Sequence, residues 1–163
     1  MTAIHTTAQR RLVPPGDGEH WWLLGCLATV KAGPDATGGA LTIVEFELPP
    51  GYAVPPHSHR DEEELFYVLD GEVTFACDGE ERTFTRGGMA WLPRRREHTF
   101  TVTDNGPARM FNIHTGPSFA NLLREVGEIA DSARLPEPPE AEPDATLVAA
   151  AFDRNGLDLE PPR

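Results

Sequence analysis

Turn-forming residues cut this chain into short pieces, and that punctuation limits the fold more than any other feature. Among 163 residues there are 15 glycines and 16 prolines. Between His20 and Thr115 they fall in clusters, Gly33-Pro34, Gly38-Gly39, Gly87-Gly88 and Asn105-Gly106-Pro107, which break helices and set up tight turns. The runs between them, among them His20–Lys31, Gly39–Leu48, Glu64–Leu69 and Glu72–Cys77, are rich in apolar and β-branched residues and have the length of strands. Asp70-Gly71 separates two of these runs. Asp78-Gly79 opens a hairpin into Glu81–Thr85, because Asp and Gly tolerate the positive φ that a two-residue hairpin turn demands. Residues 20–115 therefore read as an all-β barrel of short strands.

The two ends differ from this centre. Residues 1–19 form a polar arm ending in Pro14-Pro15-Gly16. In residues 116–163, Phe119, Leu122, Leu123, Val126 and Ile129 recur at helical spacing and predict a helix after Pro117. A Pro- and Glu-rich linker from Leu135 to Pro143 follows. Asp144 then reads as the N-cap of a second short helix that runs to Asn155 and stops at Gly156. Its apolar stripe is Leu147, Val148, Ala151 and Phe152. Both helices are expected to pack on the outside of the barrel as a C-terminal helical tail.

Charge narrows the partners. The formal net charge is −12, which repels phosphate backbones, so neither nucleic acid nor an anionic membrane is expected as a partner. No apolar stretch approaches the length of a membrane span. Met1–Val13 lacks the apolar core of a secretory signal, and Cys26 and Cys77 are distant in sequence, so a cytoplasmic protein with two buried free thiols is expected. A small-molecule substrate remains as the natural partner. The arm, Met1–Pro15, is a strand that one copy can lend to another across an exposed sheet edge, which predicts a homodimer.

The chemistry concentrates in Gly51–Gly71. His57 and His59 lie two residues apart, so on a strand both imidazoles point to one face and can reach a single ion at about 2.1 Å. A carboxylate follows. Glu63 has the right parity for an unbroken strand, whereas Glu64 needs a turn within Arg60-Asp61-Glu62-Glu63 to reset the phase. Further on, Pro93 ends a strand, and His98 opens the next one toward the same interior. Three imidazoles and one carboxylate suit a divalent transition metal, Fe, Ni, Mn, Co, Cu or Zn, and disfavour Ca and Mg, which prefer oxygen. Asn112 and His114 share a face of the last strand and, with Phe66 and Phe100, are the pocket candidates. Arg94-Arg95-Arg96 reads as a solvated turn, with attraction of an anionic substrate to the barrel mouth as the alternative.

These spacings resemble a known family. Gly51, five residues, His57-x-His59, four residues, Glu64, six residues and Gly71 is similar to the first cupin motif. Gly87, five residues, Pro93 and then His98 resembles the second. The chain departs from that second motif at Arg95, where the family usually has Gly, and at Val102, where it often has Asn. The resemblance implies the cupin double-stranded β-helix, a jelly-roll barrel, with one divalent metal per chain held by His57, His59, Glu64 and His98. The tail is similar to that of small bacterial cupins resembling quercetin 2,3-dioxygenases. This implies a metal-dependent dioxygenase acting on an enolic or phenolic aromatic molecule, with Glu64 doubling as the catalytic base. A metal-dependent polyketide cyclase, isomerase or decarboxylase, and a non-enzymatic binding module, are the alternatives.

Overall fold

Side-chain alternation generates most of the architecture. In the computed structural model, which describes residues 7–138 and 143–159, strand β3 (Thr42–Leu48) buries Thr42, Val44, Phe46 and Leu48 and leaves the residues between them partly exposed. Strands β5 (Glu64–Asp70) and β10 (Ala108–His114) alternate in the same way. The remaining strands of the central region are β1 (Glu19–Leu23), β2 (Cys26–Ala32), β4 (His57–His59), β6 (Val73–Cys77), β7 (Glu80–Phe84), β8 (Met89–Leu92) and β9 (His98–Val102). Two further short strands come from the tail, β11 (Glu128–Ile129) and β12 (Leu157–Leu159).

The strands form two antiparallel sheets, ordered β11-β1-β2-β3-β10-β5-β8 and β12-β4-β9-β6-β7. Their inner faces meet around one apolar core that includes Phe46, Val68, Phe75, Val102 and Met110. This is the double-stranded β-helix expected from the sequence. The Asp78-Gly79 hairpin forms between β6 and β7, and both residues take positive φ, 53° and 80°, as a type I′ turn requires. Leu24-Gly25 turns β1 into β2 in the same manner, with a leucine accepting the left-handed backbone.

The tail departs from expectation. Helix α2 (Ser118–Val126) buries Phe119, Leu122 and Leu123, but it stops before Gly127. Ile129, expected as the last residue of its stripe, instead pairs with Trp21 in β11 and is 77% exposed. Helix α3 (Ala145–Arg154) begins where Asp144 accepts hydrogen bonds from the Thr146 and Leu147 amides, and Gly156 follows it with φ 79°. It buries Ala151 and Phe152, while Leu147 is 66% exposed, so its covered face is narrower than the sequence stripe. The tail is thus not a helical layer laid on a finished barrel. It supplies an edge strand to each sheet, and β12 aligns Leu157 with His59 and Leu159 with His57.

A short helix α1 (Pro34–Thr37) occupies a turn anticipated only as a break. Residues 7–18 of the arm form no strand; Gln9 N donates to Ala36 O and Arg11 Nε to Lys31 O of the same chain. Residues 1–6 of the lendable strand lie outside the described residues. Cys26 and Cys77 are both free thiols, and no described helix is long and apolar enough to cross a membrane.

Candidate metal centre

Strand parity brings His57 and His59 inward from β4, where they are 5% and 2% exposed, and leaves Ser58 outward. His57 sits opposite His98, the first residue of β9. The polar run after His59 turns, as a phase reset requires, and delivers Glu64 to the inner face of β5 with 4% exposure. Glu63 points outward instead and accepts hydrogen bonds from Arg94 N at 2.8 Å and Arg94 Nε at 2.6 Å. That settles the parity question against Glu63. One ligand atom from each of His57, His59, Glu64 and His98 lies within 4.8 Å of the others, and all four residues are buried.

The second motif keeps its turn despite losing its glycine. Arg95 adopts φ 62°, its amide donates to His59 O at 2.7 Å, and its Nε reaches Arg60 O at 3.1 Å. An L-residue in that region costs about 1–2 kcal/mol, so the two hydrogen bonds hold a strained position in place. Arg94 and Arg96 are ion-paired at the surface, with Glu63 and Asp78 respectively, and none of the three arginines lines the cavity described below.

The cluster is already partly ordered. Glu64 Oε2 lies 2.9 Å from His98 Nε2 and 3.3 Å from His59 Nε2, and Glu64 Oε1 accepts from Asn112 Nδ2 at 2.8 Å. His57 and His98 donate through Nδ1 to backbone carbonyls, which turns their Nε2 lone pairs inward. His59 has a hydrogen-bond partner at neither ring nitrogen, though it is almost fully buried. A buried polar atom left so is costly, and coordination of an ion would remove the cost. The borderline N3O donor set and the unpartnered His59 both fit a divalent transition metal.

At His57 and Glu64 the electrostatics favour the protonation states that coordination needs, and at His59 they run the other way. Burial pushes His57 down to about 4, with the neighbouring His98 adding to the effect. Burial alone would raise the Glu64 carboxyl, but the facing His114, His59 and His98 rings hold it well below the ordinary carboxylate range. For His59, burial opposes protonation, yet the adjacent Glu64 and Glu62 carboxylates outweigh it and raise the ring.

A cavity of about 300 Å³ opens over the cluster. His57, His59, Glu64 and Asn112 form its floor, and Phe66, Phe100 and Tyr52 are among its walls, with Tyr52 and Phe100 stacked at 6.3 Å. Phe66, Phe100 and Asn112 all line this cavity. His114 does not line it. Parity turns His114 to the same side as Asn112, but Phe119 of α2 stacks flat on its ring at 4.5 Å and walls it off, while its Nε2 donates to Asn112 Oδ1 at 2.5 Å. Burial lowers His114 to about 3, so it is neutral. Sequence reasoning missed the roof, which comes from the tail: Val148, Phe152 and Leu157 close the cavity, with the Phe152 ring edge-on to His57 at 6.5 Å. Only the helical spacing of Val148 and Phe152 signalled that they face inward, Phe152 buried and Val148 partly so.

Residues 44–114 match the family model described as Cupin domain. Quercetin 2,3-dioxygenase of Bacillus subtilis (strain 168) is 30% identical over 125 residues, covering 77% of this chain and 37% of that protein. This chain therefore spans little more than a third of the length of that relative. The tetracenomycin polyketide synthase protein TcmJ of Streptomyces glaucescens is 30% identical over 109 residues, covering 66% of this chain and 68% of the relative. Among solved structures, a predicted oxalate decarboxylase from Thermotoga maritima superposes with a TM-score of 0.59 and 19% identity, over 64% of this chain and 98% of the other.

Proposed function

The chain belongs to the cupin family, and from that premise we propose that it is a metal-dependent dioxygenase of enolic or phenolic aromatic small molecules. The observation that carries this reading is a buried cluster of three histidines and one glutamate, of which His57, His59 and Glu64 lie on the floor of an apolar cavity of about 300 Å³. The similarity to quercetin 2,3-dioxygenase supports the choice of reaction. His57, His59, Glu64 and His98 would hold the metal, which when bound supplies Lewis acidity and one-electron chemistry with dioxygen.

The remaining work falls to side chains. The volume is at the lower end for small-molecule sites and suits a compact, flat ligand. Phe66, Phe100 and Tyr52 offer ring faces and edges to such a molecule and exclude water. Its hydroxyl meets the floor, where Glu64 is ionised and accepts the proton at Oε2. Asn112 holds Oε1 of the same carboxylate and so fixes its orientation.

The Streptomyces relative, a polyketide synthase protein matched over about two thirds of both chains, supports a second reading. In it the same floor and walls cyclise, isomerise or decarboxylate an enolic ring precursor without oxygen. Elemental analysis of the purified protein, followed by dioxygen uptake with flavonols and polyketide-type enols, separates the two. Oxygen consumed in step with substrate loss supports the dioxygenase; conversion without oxygen supports the second reading. Binding without conversion, whatever divalent metal is loaded, leaves a non-enzymatic binding protein.

The same reading places the protein in the cytoplasm, where free Cys26 and Cys77 are stable, and makes it a homodimer. Exposed Tyr67 and Met89 face each other across β5 and the edge strand β8, beside exposed Trp91, an apolar patch that a second copy would cover. Light scattering that shows a monomer at micromolar concentration overturns the assembly.

A further inference from the structure

Two of the three ligand histidines are held by one device, and the third lacks it. His57 Nδ1 donates to Pro55 O at 2.9 Å, and His98 Nδ1 donates to Arg96 O at 2.8 Å. Each ring is tethered to the carbonyl two residues upstream and offers Nε2 to the cluster. His59 turns Nε2 toward Glu64 as well, but its Nδ1 has no hydrogen-bond partner. Metal-ligating histidines almost always donate their second nitrogen to a carboxylate, a carbonyl or water, because that contact fixes the tautomer and the ring orientation.

A carboxylate stands nearby. Glu62 belongs to an acidic run whose neighbours Asp61 and Glu63 face solvent or surface arginines, yet Glu62 is only 3% exposed. Its Oε1 accepts from the amide of Ser118, the first residue of α2, at 2.5 Å. The backbone at Gly116 passes so close that a Cβ there would stand 2.3 Å from Oε1, so the site is shaped around this side chain. Its Oε2 has no hydrogen-bond partner. A third unpartnered buried atom, His114 Nδ1, lies 3.7 Å from that oxygen. Ligand-type atoms of His59, Glu62 and His114 fall within 4.8 Å of one another.

The proton positions follow from the neighbours. Asn112 gives its Nδ2 hydrogens to Glu64, so its Oδ1 receives the Nε2 proton of His114, and His114 Nδ1 is an acceptor. His59, with Nε2 aimed at the ligand cluster, carries its proton on Nδ1 and is a donor. One donor and two acceptors match the capacity of a single buried water. We propose that Glu62 is the positioning residue of His59: a water shared with His114 accepts the hydrogen bond of His59 Nδ1–H and donates in turn to Glu62 Oε2, which ties the metal centre to helix α2. The assignment rests on the cluster binding a divalent ion and is independent of the reaction catalysed.

Co(II) titration followed by visible absorption, on the full chain and on Glu62→Gln, tests it. The amide oxygen of glutamine keeps the Ser118 contact, so the metal-free variant should melt within a few degrees of the wild type. It has lost the anionic acceptor, and Co(II) affinity should fall about 10- to 100-fold with a shifted ligand-field spectrum. The imidazole ¹H–¹⁵N spectrum of the Zn(II)-loaded wild type supplies a readout that needs no variant: a slowly exchanging Nδ1 proton on His59. Unchanged affinity and spectrum in Glu62→Gln, or a His59 proton found on Nε2, overturns the proposal. A wild type that binds no Co(II) removes the metal centre itself, a different failure from a wild type that binds it and a variant that matches.

Discussion

The floor and the roof of the cavity are made of opposite materials from distant parts of the chain. The floor is polar. Its histidines and glutamate stand on β4 and β5, with His98 of β9 directly behind them, set by strand parity and, for His57, Glu64 and His98, by hydrogen bonds shorter than 3 Å. The roof is apolar and comes from residues 143–159, where Val148, Phe152 and Leu157 are placed by contact area rather than direction. It is fastened at its rim by polar groups: Arg60 pairs with Asp153 and Asp158, and Arg154 with Glu125. The contrast assigns ion choice to the floor, where geometry matters, and the size of the admitted molecule to the roof, where volume matters.

The largest effect should come from the floor. The double variant His57→Ala/His59→Ala is expected to carry essentially no metal by elemental analysis and still fold around the apolar core. Stoichiometric metal in that variant would mean that the floor is not the ion site.

The division breaks, if it breaks, at β12. Strand β4 has one registered residue pair with β9, His57 with His98, but three with β12. A chain ending at Asn155 should therefore lose metal affinity by about tenfold or more as well as stability, because the ligand strand loses its main neighbour. Titration with Zn(II) decides this. Wild-type affinity in the shortened chain would make floor and roof independent.

Phe152→Ala sharpens the contrast. Removing a buried phenylalanine should cost about 3–5 kcal/mol in denaturant unfolding and enlarge the cavity, with metal content unchanged. A loss of metal here would give the edge-on contact with His57 a role in the floor.

Acid should act more gently, chiefly through the buried histidines of the floor and behind it. His57 and His114 are neutral in the fold, at about 4 and about 3, and ordinary in the unfolded chain, near 6.5. Below pH 6.5 the unfolded state binds more protons, so stability falls as pH falls toward 4, on the order of 2–3 kcal/mol for one such group. His59, raised by Glu64 and Glu62, runs the other way: its contribution is fully present below pH 6.5 and is lost as pH rises through its folded value. Two groups against one predict a net decline, readable from thermal melts of metal-free protein between pH 7 and pH 4. A flat or rising profile would contradict neutral, buried His57 and His114.

How far the sequence could be read follows the same line between floor and roof. His57, His59 and His98 were legible because parity and turn residues leave few orientations open. Glu64 over Glu63 was not decided by parity, since the turn after His59 resets the count; the motif spacing chose it. The roof was opaque. Helical spacing in α3 says that Phe152 is buried but not what it is buried against, and Leu157-Asp158-Leu159 is too short for alternation to announce a strand. Leu147 and Ile129 failed for related reasons: α3 covers only a narrow face, and α2 ends before Ile129. Glu62 could not be recognised as buried inside a run of acids, where solvation is the ordinary state. His114 shares the parity of Asn112 but lies behind Phe119.

The pairing of β12 with β4 also sets an order in time. During synthesis His57, His59, Glu64 and His98 leave the ribosome well before Leu157–Leu159, by an interval on the order of seconds at about 5–20 residues per second. Through that interval β4 carries two of the four candidate ligands with one edge unpaired, the kind of edge that recruits foreign strands. A chain stalled between Gly116 and Gly156 therefore holds every candidate ligand without the strand that flanks two of them, and it is most exposed to aggregation where its chemistry is densest.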